Sequence, residues 1–333
     1  MPTSPSGRFR RSDRPSGSRI HQGLVGARDL IGTSYLADPT LRAAYAREIA
    51  PRTTVALSKI LREIYPDRHG RGRPRRILDL GAGTGAAAAA IRPHFGNDVD
   101  LVEVDRVAAT PDALTADITD VDRLSRMQAS RDSFDLVVSA HVLNELYVGE
   151  PASERLPRLA RLVGSWCESL LTDAGTLILL EPALRETSRA LLSVRDHLLA
   201  AGLHIVAPCF FTGPCPALLR ERDWCHDAAG TGSHRVDFSY LVVRTSGEPT
   251  TDAALYRIVS DPLPAKGRLK LFACGAAGRH PVVRLSRHAA KENADIDLLV
   301  RGDRVRIERT VFAQDGLRVV PDTVVTRVVP PTD

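Results

Sequence analysis

The residues best suited to chemistry fall into two groups, a glycine-rich loop followed by carboxylates and a late cluster of thiols. The loop is Asp79-Leu80-Gly81-Ala82-Gly83-Thr84-Gly85, set between an apolar run at 77–80 that reads as a strand and an Ala-rich stretch at 86–93 that reads as a helix. Glycines let a backbone turn sharply and approach a ligand closely. Alone, such a loop is a weak signal, and Gly81-x-Gly83-x-x-Ala86 also satisfies a nicotinamide-dinucleotide fingerprint. The carboxylates separate the two readings. Asp79 sits at the end of the first strand, where it reaches a ligand's amino group directly or through water; a pyrophosphate gains nothing from a negative charge there. Asp105 closes the second strand (99–104), placed to accept hydrogen bonds from ribose hydroxyls. Glu103 takes that role if the register is off by two. Asp117 stands where an adenine amino group would lie, but its neighbourhood, TADITDVD, suits a helix cap equally well.

These residues need a frame. After the loop, strands at 99–104, 134–139, 175–180, 204–207 and 238–243 alternate with helices at 154–172 and 188–201, and a helix-like run follows the 134–139 strand through Leu146. Alternation of this kind predicts an α/β fold with a doubly wound, mostly parallel sheet. With Asp79, the three glycines, Asp105 and Asp117, it resembles the class I S-adenosylmethionine-dependent methyltransferases, which implies S-adenosylmethionine as the cofactor. Acceptor-side groups in such enzymes follow the fourth strand, here Ser139-Ala-His141-Val-Leu-Asn144-Glu145-Leu. The run lacks the Asn-Pro-Pro-Tyr that grips an exocyclic nitrogen and the Pro-Cys of cytosine-C5 enzymes. His141 and Asn144 are the candidates there; His141 serves as a general base or as a surface or capping residue.

The second group is sulfur. Cys209 and Cys215 flank Phe-Phe-Thr-Gly-Pro, Cys225 lies in Asp-Trp-Cys-His, and Cys274 lies in Leu-Phe-Ala-Cys-Gly. Three thiols in a tight loop with a fourth from a distant strand make a four-ligand metal arrangement, for tetrahedral zinc or an iron–sulfur cluster. The spacing is looser than the paired cysteines of a zinc ribbon. Cys167, beside Trp166 on an apolar helix face, reads as inert core. The segments VAPCFFTGPCPAL, RDWCHD, FSYLVV, LFACG and RGDRV resemble, over roughly residues 35–310, the mitochondrial small-ribosomal-subunit assembly methyltransferase-like proteins and their bacterial relatives. The resemblance implies association with the small ribosomal subunit and its 16S-type RNA. It also implies a [4Fe-4S] cluster on Cys209, Cys215, Cys225 and Cys274, and a cofactor loop at Gly81, Gly83 and Gly85. Methyl transfer in that family is weak or absent in some members.

Composition sets the outer bounds. The chain has 333 residues, 43% hydrophobic and 26% charged, the balance of a globular protein of one large domain or two. No apolar run is long enough to span a membrane. The net charge of +5 points weakly to nucleic acid. Only four of the 45 basic residues are Lys, as a GC-rich genome also produces by default. Five cysteines without a signal peptide favour metal over disulfides and a cytoplasmic location. We expect a disordered basic tail (1–20), a helical N-terminal segment (21–70), the cofactor-binding domain (71–248) with its cysteine-bearing segment (209–230), and a C-terminal β module (249–333). Strands of that module are expected at 269–272, 282–285, 297–300, 304–307 and 324–329. Two basic, flexible stretches, Arg8–Arg14 in the tail and 71–76, suit phosphate contact. The oligomeric state is not legible; a monomer is expected. The function expected is methyl transfer to small-subunit ribosomal RNA, or a role in assembling that subunit. The alternatives are a non-catalytic RNA-binding assembly factor and a small-molecule methyltransferase with structural zinc.

Overall fold

The computed structural model describes residues 18–70, 72–127, 133–248, 252–314 and 316–328. The N-terminal segment is helical in pieces. It begins with α1 (Arg19–His21) and a π turn, and continues through a 3-10 turn at Tyr35–Ala37 into α2 (Pro39–Glu48) and α3 (Ala50–Ile64). Asp38 starts α2 by accepting the N–H groups of Thr40 (2.7 Å) and Leu41 (3.3 Å), with Pro39 fixed in the first turn. Ala56, Leu57, Ile60 and Leu61 form one stripe of α3 and are fully buried, each of the larger three contributing about 1.5–3 kcal/mol. Ile20, placed in the tail by composition, is also fully buried, so the ordered body begins before residue 20.

The first sheet follows: β1 (Arg76–Leu80), α4 (Ala88–Phe95), β2 (Asp100–Asp105), β3 (Leu114–Thr115), α5 (Val121–Met127), β4 (Phe134–Ala140), α6 (Ala152–Leu170), β5 (Leu171–Pro182), α7 (Arg185–Ala200), β6 (His204–Ala207), β7 (Asp227–Ala229) and β8 (Val236–Arg244). Its order is β3-β2-β1-β4-β5-β8-β6, with β7 on β8. β1 to β5 run parallel, and β8 enters antiparallel between β5 and β6. The sheet is therefore mixed rather than strictly parallel. Alternate residues feed two cores. Leu177 and Leu179 face α5–α7, whereas Ile178 and Leu180 face α3 and α4. Cys167 lies in the first of these cores, as its apolar setting implied.

The second sheet holds β9 (Leu255–Ile258), β10 (Leu263–Ala265), β11 (Arg268–Gly275), β12 (Gly278–Leu285), β13 (Arg304–Glu308), β14 (Val311–Ala313), β15 (Gly316–Val319) and β16 (Val324–Val328). Its order is β14-β15-β12-β11-β9-β13-β16, with β10 on β11. Three expectations are corrected. Residues 297–300 are not a strand: Lys291–Leu298 is a 3-10 segment that buries Asn293 and Ile296. The run after β4 is not a regular helix but a short 3-10 turn, Leu143–Glu145, because His141 takes a left-handed backbone (φ 62°). Within the basic stretch, Arg73 and Arg76 are not free, since Arg73 pairs with Asp98 and donates to the Phe95 carbonyl, and Arg76 pairs with Asp100. Arg71 and residues 1–17 lie outside the described residues, as does position 329.

A buried ion network joins the two sheets to α3. Arg257 on β9 donates to both carboxylate oxygens of Glu63 on α3 and to the Gly302 carbonyl (2.9 Å), and stands 3.7 Å from Asp227 on β7. Lys59 completes it at 2.7 Å from Asp227, and the Tyr240 hydroxyl donates to Glu63 at 3.1 Å. Burial raises the Glu63 carboxyl, but the Arg257 guanidinium outweighs that and holds it below its ordinary 4.5. A carboxyl lowered by folding stabilises fully above its ordinary value, and that contribution is lost as pH falls through the folded value. Arg257→Ala leaves two buried carboxylates without it and costs about 3–5 kcal/mol at pH 7. In urea unfolding the gap to the unaltered protein is expected to narrow at pH 4. An equal gap at both pH values would show that lost packing, not charge, is the cause.

Candidate functional site

The strand order reverses between β1 and β4, and in open α/β sheets the crevice at that point takes ligands at the carboxyl ends of the strands. The glycine loop leaves β1 here. Gly81, Gly83 and Gly85 all have positive φ (84°, 52° and 82°), and a Cβ on Gly81 would lie 2.3 Å from Val142. Asp105 fastens the loop: one carboxylate oxygen accepts the Gly83 N–H (2.8 Å), the other that of Val107 (2.9 Å). A cavity of about 280 Å3 opens beside them, lined by Gly81, Gly83, Asp105, Asp117 and His141 among others. Of the expected cofactor residues, these four line the cavity together with His141, while Asp79 and Gly85 do not. Glu103, the alternative to Asp105, is also outside it; it pairs across the strands with Asp79.

Asp79 is 1% exposed, and both its carboxylate oxygens lack a hydrogen-bond partner. Burial, with Glu103 and Asp105 nearby, raises its pKa well above the ordinary range. A buried carboxyl left so is costly unless a donor reaches it. Asp117 accepts the N–H and hydroxyl of Thr119 (2.9 and 2.8 Å) in a local turn on the cavity wall, whereas the helix cap in this stretch is Asp120, which accepts the Arg123 N–H at 3.0 Å at the start of α5.

The turn after β4 has a support that the sequence did not reveal. Glu181, at the end of β5, is buried and accepts the N–H groups of Leu143 (2.8 Å) and Asn144 (3.3 Å); burial lifts its carboxyl to about 8. Arg155 on α6 holds the Leu143 and Leu146 carbonyls. Burial depresses His141 to about 4, so its ring is neutral at physiological pH. Glu145 beside it accepts the Tyr35 hydroxyl at 2.9 Å, and burial raises its carboxyl to about 7. Tyr35, Glu145 and Glu181 escaped the sequence reading because their partners lie tens of residues away. Arg106 donates to the Thr33 carbonyl (3.0 Å) and ties the N-terminal segment over the cavity.

The four late cysteines come together. Cys209, Cys215, Cys225 and Cys274 line one pocket between the sheets, with Trp224, Arg257 and Arg279. Helix α7 shapes the loop that carries the first two. Arg195 donates to the Phe211 and Gly213 carbonyls, Asp196 accepts the Cys215 N–H (2.9 Å), and Arg189 binds the carbonyls of Ala217, Arg220 and Asp223. Cys274 on β11 sits opposite Arg257 of β9 and Arg279 of β12, and cross-strand partners share a face. Burial, then the neighbouring thiols, push Cys215 up to about 11 and Cys225 to about 12; Cys209 and Cys274 are also raised. Arg195 and Arg257 oppose this at Cys209. Among the described residues no three His, Cys, Asp or Glu side chains stand close enough to hold one metal ion. The four thiols share their pocket with the guanidinium groups of Arg257 and Arg279.

Among the described residues no helix is long and apolar enough to cross a membrane. Solved structures to which the chain is similar include the plantazolicin methyltransferase BpumL in complex with SAH (15% identity, 53% of this chain and 67% of that one, TM-score 0.35). Aeropyrum pernix fibrillarin with bound S-adenosyl-L-methionine is another (14%, 58% and 76%, 0.35). A putative ribosomal RNA methyltransferase from Plasmodium falciparum is a third (15%, 58% and 96%, 0.34). All three likenesses are remote. Among curated proteins no sequence matches this chain. Residues 40–289, well over half the chain and including all four pocket cysteines, match the family model described as mitochondrial small ribosomal subunit Rsm22, and the chain belongs to the Rsm22 family.

Proposed function

We propose that this protein is an S-adenosylmethionine-dependent methyltransferase acting on small-subunit ribosomal RNA during assembly of that subunit, with a [4Fe-4S] cluster in the thiol pocket. The observation that carries the reading is the cavity at the strand-order reversal, where Gly81, Gly83, Asp105 and Asp117 meet the turn bearing His141. S-adenosylmethionine supplies an activated methyl group. The chain's part is to hold it: the glycine loop admits the nucleoside closely, Asp105 keeps lone pairs for ribose hydroxyls, and Asp117 faces the base. Asp79, with two unpartnered oxygens, would receive the amino group through the loop or a water. Membership of the Rsm22 family supports the ribosomal partner. Cys209, Cys215, Cys225 and Cys274 would hold the cluster, whose role here is to pin the second sheet to the first; metal bound this way contributes to folding. The compartment that goes with this reading is the cytoplasm, and we expect a monomer.

Calorimetry should show S-adenosylmethionine or SAH binding. Gly83→Arg should abolish it, because a side chain there enters the cavity and the backbone is left-handed (φ 52°). Binding of NADH in place of S-adenosylmethionine would overturn the cofactor assignment. Methyl transfer from labelled S-adenosylmethionine to small-subunit RNA then separates an enzyme from a non-catalytic assembly factor.

Purified without oxygen, the protein should be brown, with broad visible absorption and about four iron atoms per chain. Cys274→Ser should lose the colour and expose residues 265–333 to proteolysis, whereas Cys167→Ser should change neither. A colourless protein with one zinc would replace the cluster by zinc, and a folded, metal-free protein would remove both.

Affinity for small-subunit RNA should fall steeply with salt as phosphate contacts release counterions. Deleting residues 1–19 should weaken it. A salt-independent affinity, or none at low salt, would leave the Arg excess as genomic bias.

A further inference from the structure

A second cavity, of about 380 Å3, adjoins the first, and the two share Tyr35, Tyr45, His141 and Glu145 as a common wall. The remaining walls come from the N-terminal helices on one side and from the ends of β5 and β8 on the other. Its volume is within the usual range for small-ligand pockets, about 300–1,000 Å3. Leu24, Ile31 and Ile49 face Pro182, Leu184 and Phe238 across it, which makes an apolar space. Tyr35 and Tyr45 stand 6.0 Å apart, tilted by 37°. Aromatic rings of this kind stack on flat ligands, and enzymes that modify a base draw it out of its strand into such a pocket.

Two polar groups of the wall, Asn144 and Glu145, carry acceptors. Asn144 is 6% exposed. Its side-chain N–H donates to the His141 carbonyl at 2.9 Å, and this fixes the amide, because the flipped form would set two oxygens against each other. The side-chain oxygen is then buried with no partner. Glu145 offers further acceptor capacity, with Tyr35 on one oxygen. Burial keeps the ring of His141 uncharged. Unpartnered acceptors call for N–H donors from the ligand. Arg52 and His21, both exposed, lie on the same cavity and suit the phosphates of a strand entering from outside.

We propose that this cavity is the acceptor site, and that it takes a nucleobase bearing an exocyclic amino group, turned out of an RNA strand, with Asn144 and Glu145 receiving its N–H groups. The proposal rests on the reading of the neighbouring cavity as the S-adenosylmethionine site. A uracil ring offers a single N–H donor, at N3, flanked by two carbonyls that would oppose the oxygens of Asn144 and Glu145, and is discriminated against.

The test is ligand-detected NMR titration of the full-length protein with cytidine, adenosine and uridine, with and without saturating SAH. Cytidine or adenosine should bind at least tenfold more tightly than uridine. Asn144→Ala should remove that preference. Ile49→Trp, which fills the cavity from the helical side, should abolish nucleoside binding. Neither residue lines the first cavity, so both variants should bind SAH like the unaltered protein, which also reports that they are folded. Equal binding of uridine, an undiminished preference in Asn144→Ala, or unchanged nucleoside binding in Ile49→Trp would each overturn the assignment. Binding of a glutamine- or lysine-containing peptide that Ile49→Trp blocks, with no nucleoside binding, would give the cavity to a protein acceptor instead. Absence of SAH binding to the unaltered protein would refute the cofactor reading separately, because the titration without SAH still reports on the second cavity.

Discussion

Arg257 is the residue on which the arrangement of this molecule turns. It leaves the second sheet, enters a space between α3 and the first sheet, and meets Glu63, Asp227 and the Gly302 carbonyl there. Three buried charges in low dielectric tolerate little displacement, since moving one away from the others leaves it desolvated and unpaired. Its cross-strand neighbour is Cys274. Fixing Arg257 against α3 and β7 therefore fixes the fourth thiol against the three carried by the loop after β6. One ion network sets the angle of the second sheet and the geometry of the thiol pocket.

The same economy governs the loop itself. Residues 209–223 have almost no regular structure, and their carbonyls are satisfied by Arg189 and Arg195 from α7. Guanidinium groups suit this because each offers five donors in a planar fork. They also bring positive charge to a pocket of thiols, which burial otherwise keeps protonated. The arginine content, which composition alone leaves open between RNA binding and genomic bias, includes residues with a defined structural task.

At the carboxyl end of β5, a buried carboxyl does comparable work. Glu181 takes two N–H groups from the turn after β4, and that turn presents His141, Asn144 and Glu145 to the two cavities. Because β4 and β5 are adjacent and parallel, the end of β5 is the nearest rigid point from which such a cap can come. The glycine loop is held likewise by Asp105 from the end of β2. Both halves of the site are anchored by carboxylates on neighbouring strands, so their separation is set by strand spacing.

The sequence by itself determined what is local. The short apolar runs at 77–80 and 175–180, the glycines at 81, 83 and 85, and the stripe of α3 depend on residues within a turn or two of one another. Each was legible for that reason. The four cysteines stand out in the sequence as one group by type and spacing, and the fold places all four on one pocket; Asp105, preferred to Glu103 because strand ends can be counted, lines the cavity, whereas Glu103 does not. Only the tertiary structure decided which distant groups meet. The left-handed backbone at His141 converts an expected helix into a turn, and Lys291–Leu298 winds over the second sheet where a strand was expected. Tyr35 reaches Glu145 across 110 positions, and Arg257 reaches Glu63 across 194. Such pairs have no period and no motif. They are selected by packing, which brings charges and hydroxyls into a low-dielectric space where only matched partners are stable.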